Sequence, residues 1–261
     1  MQSTPSGFRS VVSADLLPVD STKYPNFFIG REVDPSISPQ MVRRWLHQCE
    51  IVHGEECVQA RPPFGAARLE LPASPPPNAS RFNTLLPFLY FIDVKENRLS
   101  RLSAGGRYVA LSYVWGNCPS FKAFRNTIDE LQQPGSLLAA KSQLSAVIVD
   151  AMYLTADIGE RYLWVDSLCI VQDDQITKQA TINVMNLVYR NAILTIIAAT
   201  GTDASAGLPG VRSRPRLQSQ QSAVIAPNLK LISLHSLKMF ELSTWSTRAW
   251  TLVVTSLSYQ S

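Results

Sequence analysis

Three short segments constrain this chain more than any other feature: Tyr108–Val114 (YVALSYV), Arg161–Val165 (RYLWV) and Ile193–Ala199 (ILTIIAA). Each is rich in β-branched, aromatic or leucine side chains, with little polar interruption. That pattern predicts strands covered on both faces. The stretches between them change period. Ser142–Thr155 places Leu144, Val147, Ile148, Ala151, Met152 and Leu154 at helical spacing, with Gly159 just beyond as a stop. Ile176–Asn191 does the same with Ile182, Met185, Val188 and Tyr189. Strand, helix, strand, helix, strand implies right-handed crossovers, hence an α/β domain built on a mainly parallel sheet with flanking helices.

The region before residue 101 reads differently, and we divide the chain into 1–100 and 101–261. Met1–Pro39 is rich in Ser, Pro and Asp without periodicity and is expected to be irregular. A helix is expected from about Pro39 to Val58, capped by Ser38, with Pro39 where a missing N–H costs nothing. Trp45, Cys49, Val52 and the Cys57/Val58 pair fall near one stripe of it. Between Arg61 and Ser80, six of twenty residues are proline, which excludes a helix or central strand and marks a linker or extended arm. Leu85–Val94 reads as a strand running into a turn at Lys95-Glu96-Asn97, and Ala223–Ile225 with Leu231–Leu234 as a late hairpin about Pro227-Asn228.

Composition narrows the class. The 261 residues are 46% hydrophobic and 17% charged, which suits a packed domain rather than a solvated chain. A net charge of +4 gives no clear nucleic-acid signal. No apolar run is long enough to suggest a membrane span, the first twenty residues hold no secretory core, and four cysteines are too few for a disulfide framework. A cytoplasmic protein is expected.

Chemistry is expected beyond the carboxyl ends of the strands, where loops of a parallel sheet converge. Those ends carry Ser112, Trp115, Gly116, Asn117 and Cys118; then Asp166, Ser167, Cys169, Gln172, Asp173 and Asp174; then Gly201, Thr202 and Asp203. Asp173 and Asp174 suit helix caps. Asp166 sits in an apolar strand-to-loop passage, where a carboxylate is costly unless bonded, and is the candidate catalytic or loop-holding group. Trp115 and Gly116 shape either a ligand pocket or a tight turn anchored by an indole. Cys169 is either a nucleophile or a packed loop cysteine; of three histidines only His235 lies in the α/β region. Cys49, His53 and Cys57, at i, i+4 and i+8, are a weak metal candidate against a buried helix face. Arg212, Arg214 and Arg216 alternate along an extended segment, as an anion site or a solvated basic loop. No P-loop, G-x-G-x-x-G turn or G-x-S-x-G elbow is present.

YVALSYVWG (Tyr108–Gly116), LWVDSLCIVQDD (Leu163–Asp174), MNLVYRNAILTIIAATGTDASAGLPG (Met185–Gly210) and RAWTL (Arg248–Leu252) occur in that order. Together they resemble the fungal heterokaryon-incompatibility (HET) domain, and Trp45-x3-Cys49-x3-His53-x3-Cys57 resembles the region preceding it in many members. The resemblance implies non-self recognition after cell fusion, programmed cell-death signalling, protein partners and self-association. It also implies a TIR-like or flavodoxin-like fold. An NAD-cleaving TIR-like hydrolase, with NAD as substrate, is the alternative. Members commonly carry a tryptophan and then a glutamate before the methionine; here QITKQATINV holds no acid and Thr181 stands near the glutamate position. After RAWTL the family continues with a Gln-Glu pair, whereas this chain reads Val253-Val254-Thr255. A truncated and inactive relative is the third expectation.

Overall fold

The segment Val109–Ser112 becomes strand β4, every residue of it buried, an interior strand of a five-stranded sheet. The computed structural model describes residues 16–18, 32–53, 88–103, 105–119, 121–216, 222–226, 229–233 and 243–247. In chain order the strands are β1 (Leu16–Pro18), β2 (Tyr90–Asp93), β3 (Arg98–Arg101), β4, β5 (Tyr162–Trp164), β6 (Leu194–Ile197), β7 (Ser222–Ala226) and β8 (Leu229–Ser233). The helices are α1 (Pro39–Gln48), α2 (Ile128–Leu131), α3 (Ser136–Ala139), α4 (Ala146–Asp157), α5 (Asp166–Cys169), α6 (Gln175–Asn183) and α7 (Met185–Asn191).

The main sheet runs β3-β2-β5-β4-β6. Its three apolar strands lie side by side and point the same way: Val109 pairs with Leu163 of β5 and with Leu194 of β6. The expectation of a mainly parallel sheet does not hold. β2 runs antiparallel to both β3 and β5, so the sheet is mixed, and the separate sheet β1-β8-β7 is antiparallel throughout. The turn Val94–Asn97, with Asn97 at φ 50, reverses the chain into β3 and makes that pair antiparallel, while β2 joins β5 antiparallel through Ile92–Leu163 and Asp93–Tyr162. Buried Asp93 holds that turn, accepting from the amides of Lys95 and Glu96 at 3.1 Å, and pairs with Arg161 at 2.7 Å. The sheet therefore draws strands from both sides of residue 101.

The pleat sorts side chains to two faces. Registered neighbours Ala110 and Trp164 share one face with Phe91 and Tyr108. α7 covers it: Tyr108 Oη donates to Val188 O at 2.6 Å, and Trp164 meets Tyr189 edge-on at 5.5 Å. Val109, Leu111, Leu163 and Ile92 occupy the other, all 0% exposed. Burying each such side chain stabilises the fold by about 1.5–3 kcal/mol. The crossover from β4 through α4 to β5 and the crossover from β5 through α6 and α7 back past β4 to β6 run in opposite directions across the sheet, which places their helices on opposite faces.

Three further expectations are corrected. Ile176–Asn191 is two helices, because Val184 at φ −115, ψ 8 interrupts the ladder. Met1–Pro39 is not wholly irregular, since Leu16–Pro18 pairs with β8. In α1, which Ser38 caps through Met41 N and which a π-turn extends over Cys49–His53, Trp45 is 48% exposed. Val42 and Leu46 pack against the core instead. The late hairpin about residues 227–228 is present as β7 and β8.

Candidate functional site at the carboxyl ends of the parallel strands

β4 ends at Ser112, and the chain continues through Tyr113 to Trp115 before turning at Gly116, φ +62. A Cβ there would lie 2.2 Å from Asp203 Cβ, so the glycine lets the β4 and β6 loops touch. β5 ends at Trp164, and Asp166 opens the single turn α5. The Asp166 carboxylate accepts from Trp115 Nε1 at 3.0 and 3.1 Å, and from Ser167 N at 2.7 Å. Tyr113 Oη donates to buried Ser167 Oγ at 2.9 Å, and Lys122 Nζ lies 4.6 Å over the Trp115 ring. The three strand-end loops thus meet at one rim, in the order β5-β4-β6.

The remaining candidates divide around it. Asp203, on the β6 side, is taken up by Ser205 N and Oγ at 2.8 and 2.6 Å, which hold its carboxyl below the ordinary range. Gly201, at φ +89, makes the turn leaving β6. Gln172 Nε2 donates to Asp166 O and Ile170 O, bracing the loop after α5. Asp173 accepts from Arg125 N at 2.9 Å, while Asp174 caps α6 through Thr177 N. Cys169 points inward: it is 3% exposed, accepts from Val165 N, and burial pushes its thiol up to about 12. A neutral, enclosed thiol is a packed one. The Thr181 hydroxyl donates to Thr177 O, so no carboxylate occupies that position.

The basic segment is not a solvated stripe. Arg212 lies 3.6 Å over the Tyr153 ring, Arg214 pairs with buried Asp150 at 2.7 Å, and Arg216 donates to Asp34 O. Each guanidinium fastens a different part of the fold. For metal, Cys57 and the His53 side chain lie outside the described residues, and no cluster of three His, Cys, Asp or Glu occurs among those described. The RAWTL motif and His235 also lie outside them.

One contributor gave no sequence signal. Trp245 is fully buried and donates from Nε1 to Ser112 Oγ at 2.9 Å, sealing the end of β4.

The three parallel strands of a mixed α/β sheet deliver Trp115, Asp166 and Asp203 to one rim. A family profile described as Heterokaryon incompatibility protein (HET) matches residues 108–253, more than half of the chain, and the chain belongs to that family. No curated protein and no solved structure matches it. Among the described residues, no helix is long and apolar enough to cross a membrane.

Proposed function

We propose that this chain acts in non-self recognition and programmed cell-death signalling, through protein association that includes copies of itself. Membership of the family supports the first part. One observation carries the second: the polar groups of the rim bond to one another. Asp166 is held by Trp115 and Ser167, and Asp203 by Ser205. Side chains held by such bonds present a surface of fixed shape, and a preorganised surface lowers the cost of association. The free thiols of Cys49, Cys118 and Cys169 suit a reducing compartment, and a cytoplasmic site of action follows from this reading.

The test is inducible expression in a filamentous host. Viability should fall with the native chain and recover with Trp115→Phe, which removes the donor to Asp166. Unchanged viability at high expression overturns the reading. Sedimentation should show concentration-dependent association.

A TIR-like NAD-cleaving hydrolase centred on Asp166 is the second reading. It is favoured by the β5-β4-β6 order: the connections that leave β4 and β5 cross to opposite faces, which makes the gap between those two strands a topological switch point, the usual crevice of such sheets. Nicotinamide release that Asp166→Asn abolishes would support it. No turnover by concentrated protein leaves association, or an inactive relative if the host also survives.

A further inference from the structure

A cavity of about 210 Å³ lies on the far side of β5 from the switch point, between the start of β2, the end of α5 and one face of α6. Its floor is apolar: Leu89 and Ile170 are 6% and 5% exposed. Its mouth is not. Arg101 and Arg125 both reach it, and Phe88, 72% exposed, stands beside them.

The two guanidiniums are held in different ways. Arg101 stacks 4.1 Å over the Tyr90 ring and donates from Nη1 to Phe88 O, with no carboxylate in salt-bridge reach among the described residues. Arg125 Nη2 meets Asp174 at 3.0 Å. Asp174 is the one acid in the lining, and Arg125 together with Thr177 keeps its carboxyl below the ordinary range. The mouth therefore carries one positive charge more than its acid balances. A guanidinium has five N–H donors in a planar fork. One donor on Arg101 goes to Phe88 O, so the rest of its fork can address an anion.

We propose that this cavity binds a small organic anion: one planar or branched apolar group seated on Leu89 and Ile170, with a phosphate or carboxylate held by Arg101. Size supports that class. At about 30 Å³ per water, the cavity holds roughly seven waters, or one ring with an anionic group. The inference stands independently of the proposed function, because it uses neither Asp166 nor Trp115.

The experiment titrates the full chain with phenyl phosphate, benzoate and inorganic phosphate by calorimetry. Phenyl phosphate or benzoate should bind at least tenfold more tightly than inorganic phosphate, because only they fill the apolar floor. Arg101→Gln should weaken binding about tenfold, the order of one charge-assisted bond. Thr177→Trp, a substitution at an exposed lining position, should block the cavity in protein that still unfolds in one cooperative transition. Absence of binding at 10 mM overturns the proposal. So does equal affinity for inorganic phosphate, or binding that survives both substitutions in folded protein.

Discussion

Gly116 shows how one residue couples two strands. Its positive φ and the 2.2 Å approach that a Cβ would make to Asp203 both exclude a side chain. Gly116→Ala is expected to cost about 2 kcal/mol in urea unfolding, from a strained αL residue plus displacement of the β6 loop. Cys169 makes the opposite case, a polarizable group spent entirely on packing. Native protein treated with iodoacetamide at pH 8 should be alkylated at half-buried Cys118 and spared at Cys169, whose thiol burial holds at about 12. Peptide mass mapping reads both sites, and full unfolding should expose Cys169. The sequence left each with two readings, and the structure takes the tight turn at Gly116 and the packed loop cysteine at Cys169. Gly116 depends on Asp203, distant in sequence, whereas Cys169 is enclosed by its own loop, accepting from Val165 N and facing Leu163 O.

At the scale of elements, legibility followed burial. β4 and β5 were readable because interior strands covered on both faces leave an apolar run. β6, an edge strand with one buried residue of four, was readable from its β-branched composition. β3 was missed because Arg98–Arg101 (RLSR) is an edge strand with a polar face, and nothing in four such residues declares a strand. The break between α6 and α7 was missed because Val184 is neither Gly nor Pro, and only its backbone angles stop the ladder. The cap of α6 was legible, and it separates two contributions. Asp174→Ala should destabilise by about 1 kcal/mol, the loss of an N-cap. Asp174→Asn keeps the cap and loses only the pairing with Arg125, which is 63% exposed; it should cost less than about 0.5 kcal/mol. Chemical denaturation of the two variants decides between them.

For the whole molecule, the antiparallel addition is the chief departure from what the chain suggested. The hairpin is joined to the parallel strands by Asp93 and Arg161, 68 residues apart, a pairing that no local pattern announces. Burial alone would raise the Asp93 carboxyl. The bond and charge of Arg161, with the amides of Glu96 and Lys95, outweigh it and hold the group below its ordinary 3.8. The sign follows. On acidification the unfolded chain takes up its proton first, so the stabilisation is complete above pH 3.8 and is lost as pH falls through the lower folded value. Asp93→Asn should therefore be about 2 kcal/mol less stable at pH 7 and lose less on further acidification than the native chain. Unfolding curves from pH 7 to pH 2 measure both.

The indole of Trp245 closing over Ser112 joins positions 133 residues apart. A nascent polypeptide still short of that tryptophan would have all five strands of the main sheet outside the ribosome and a hole the size of an indole at the end of β4. The domain would have to wait, nearly finished, for a plug translated after every strand of the main sheet.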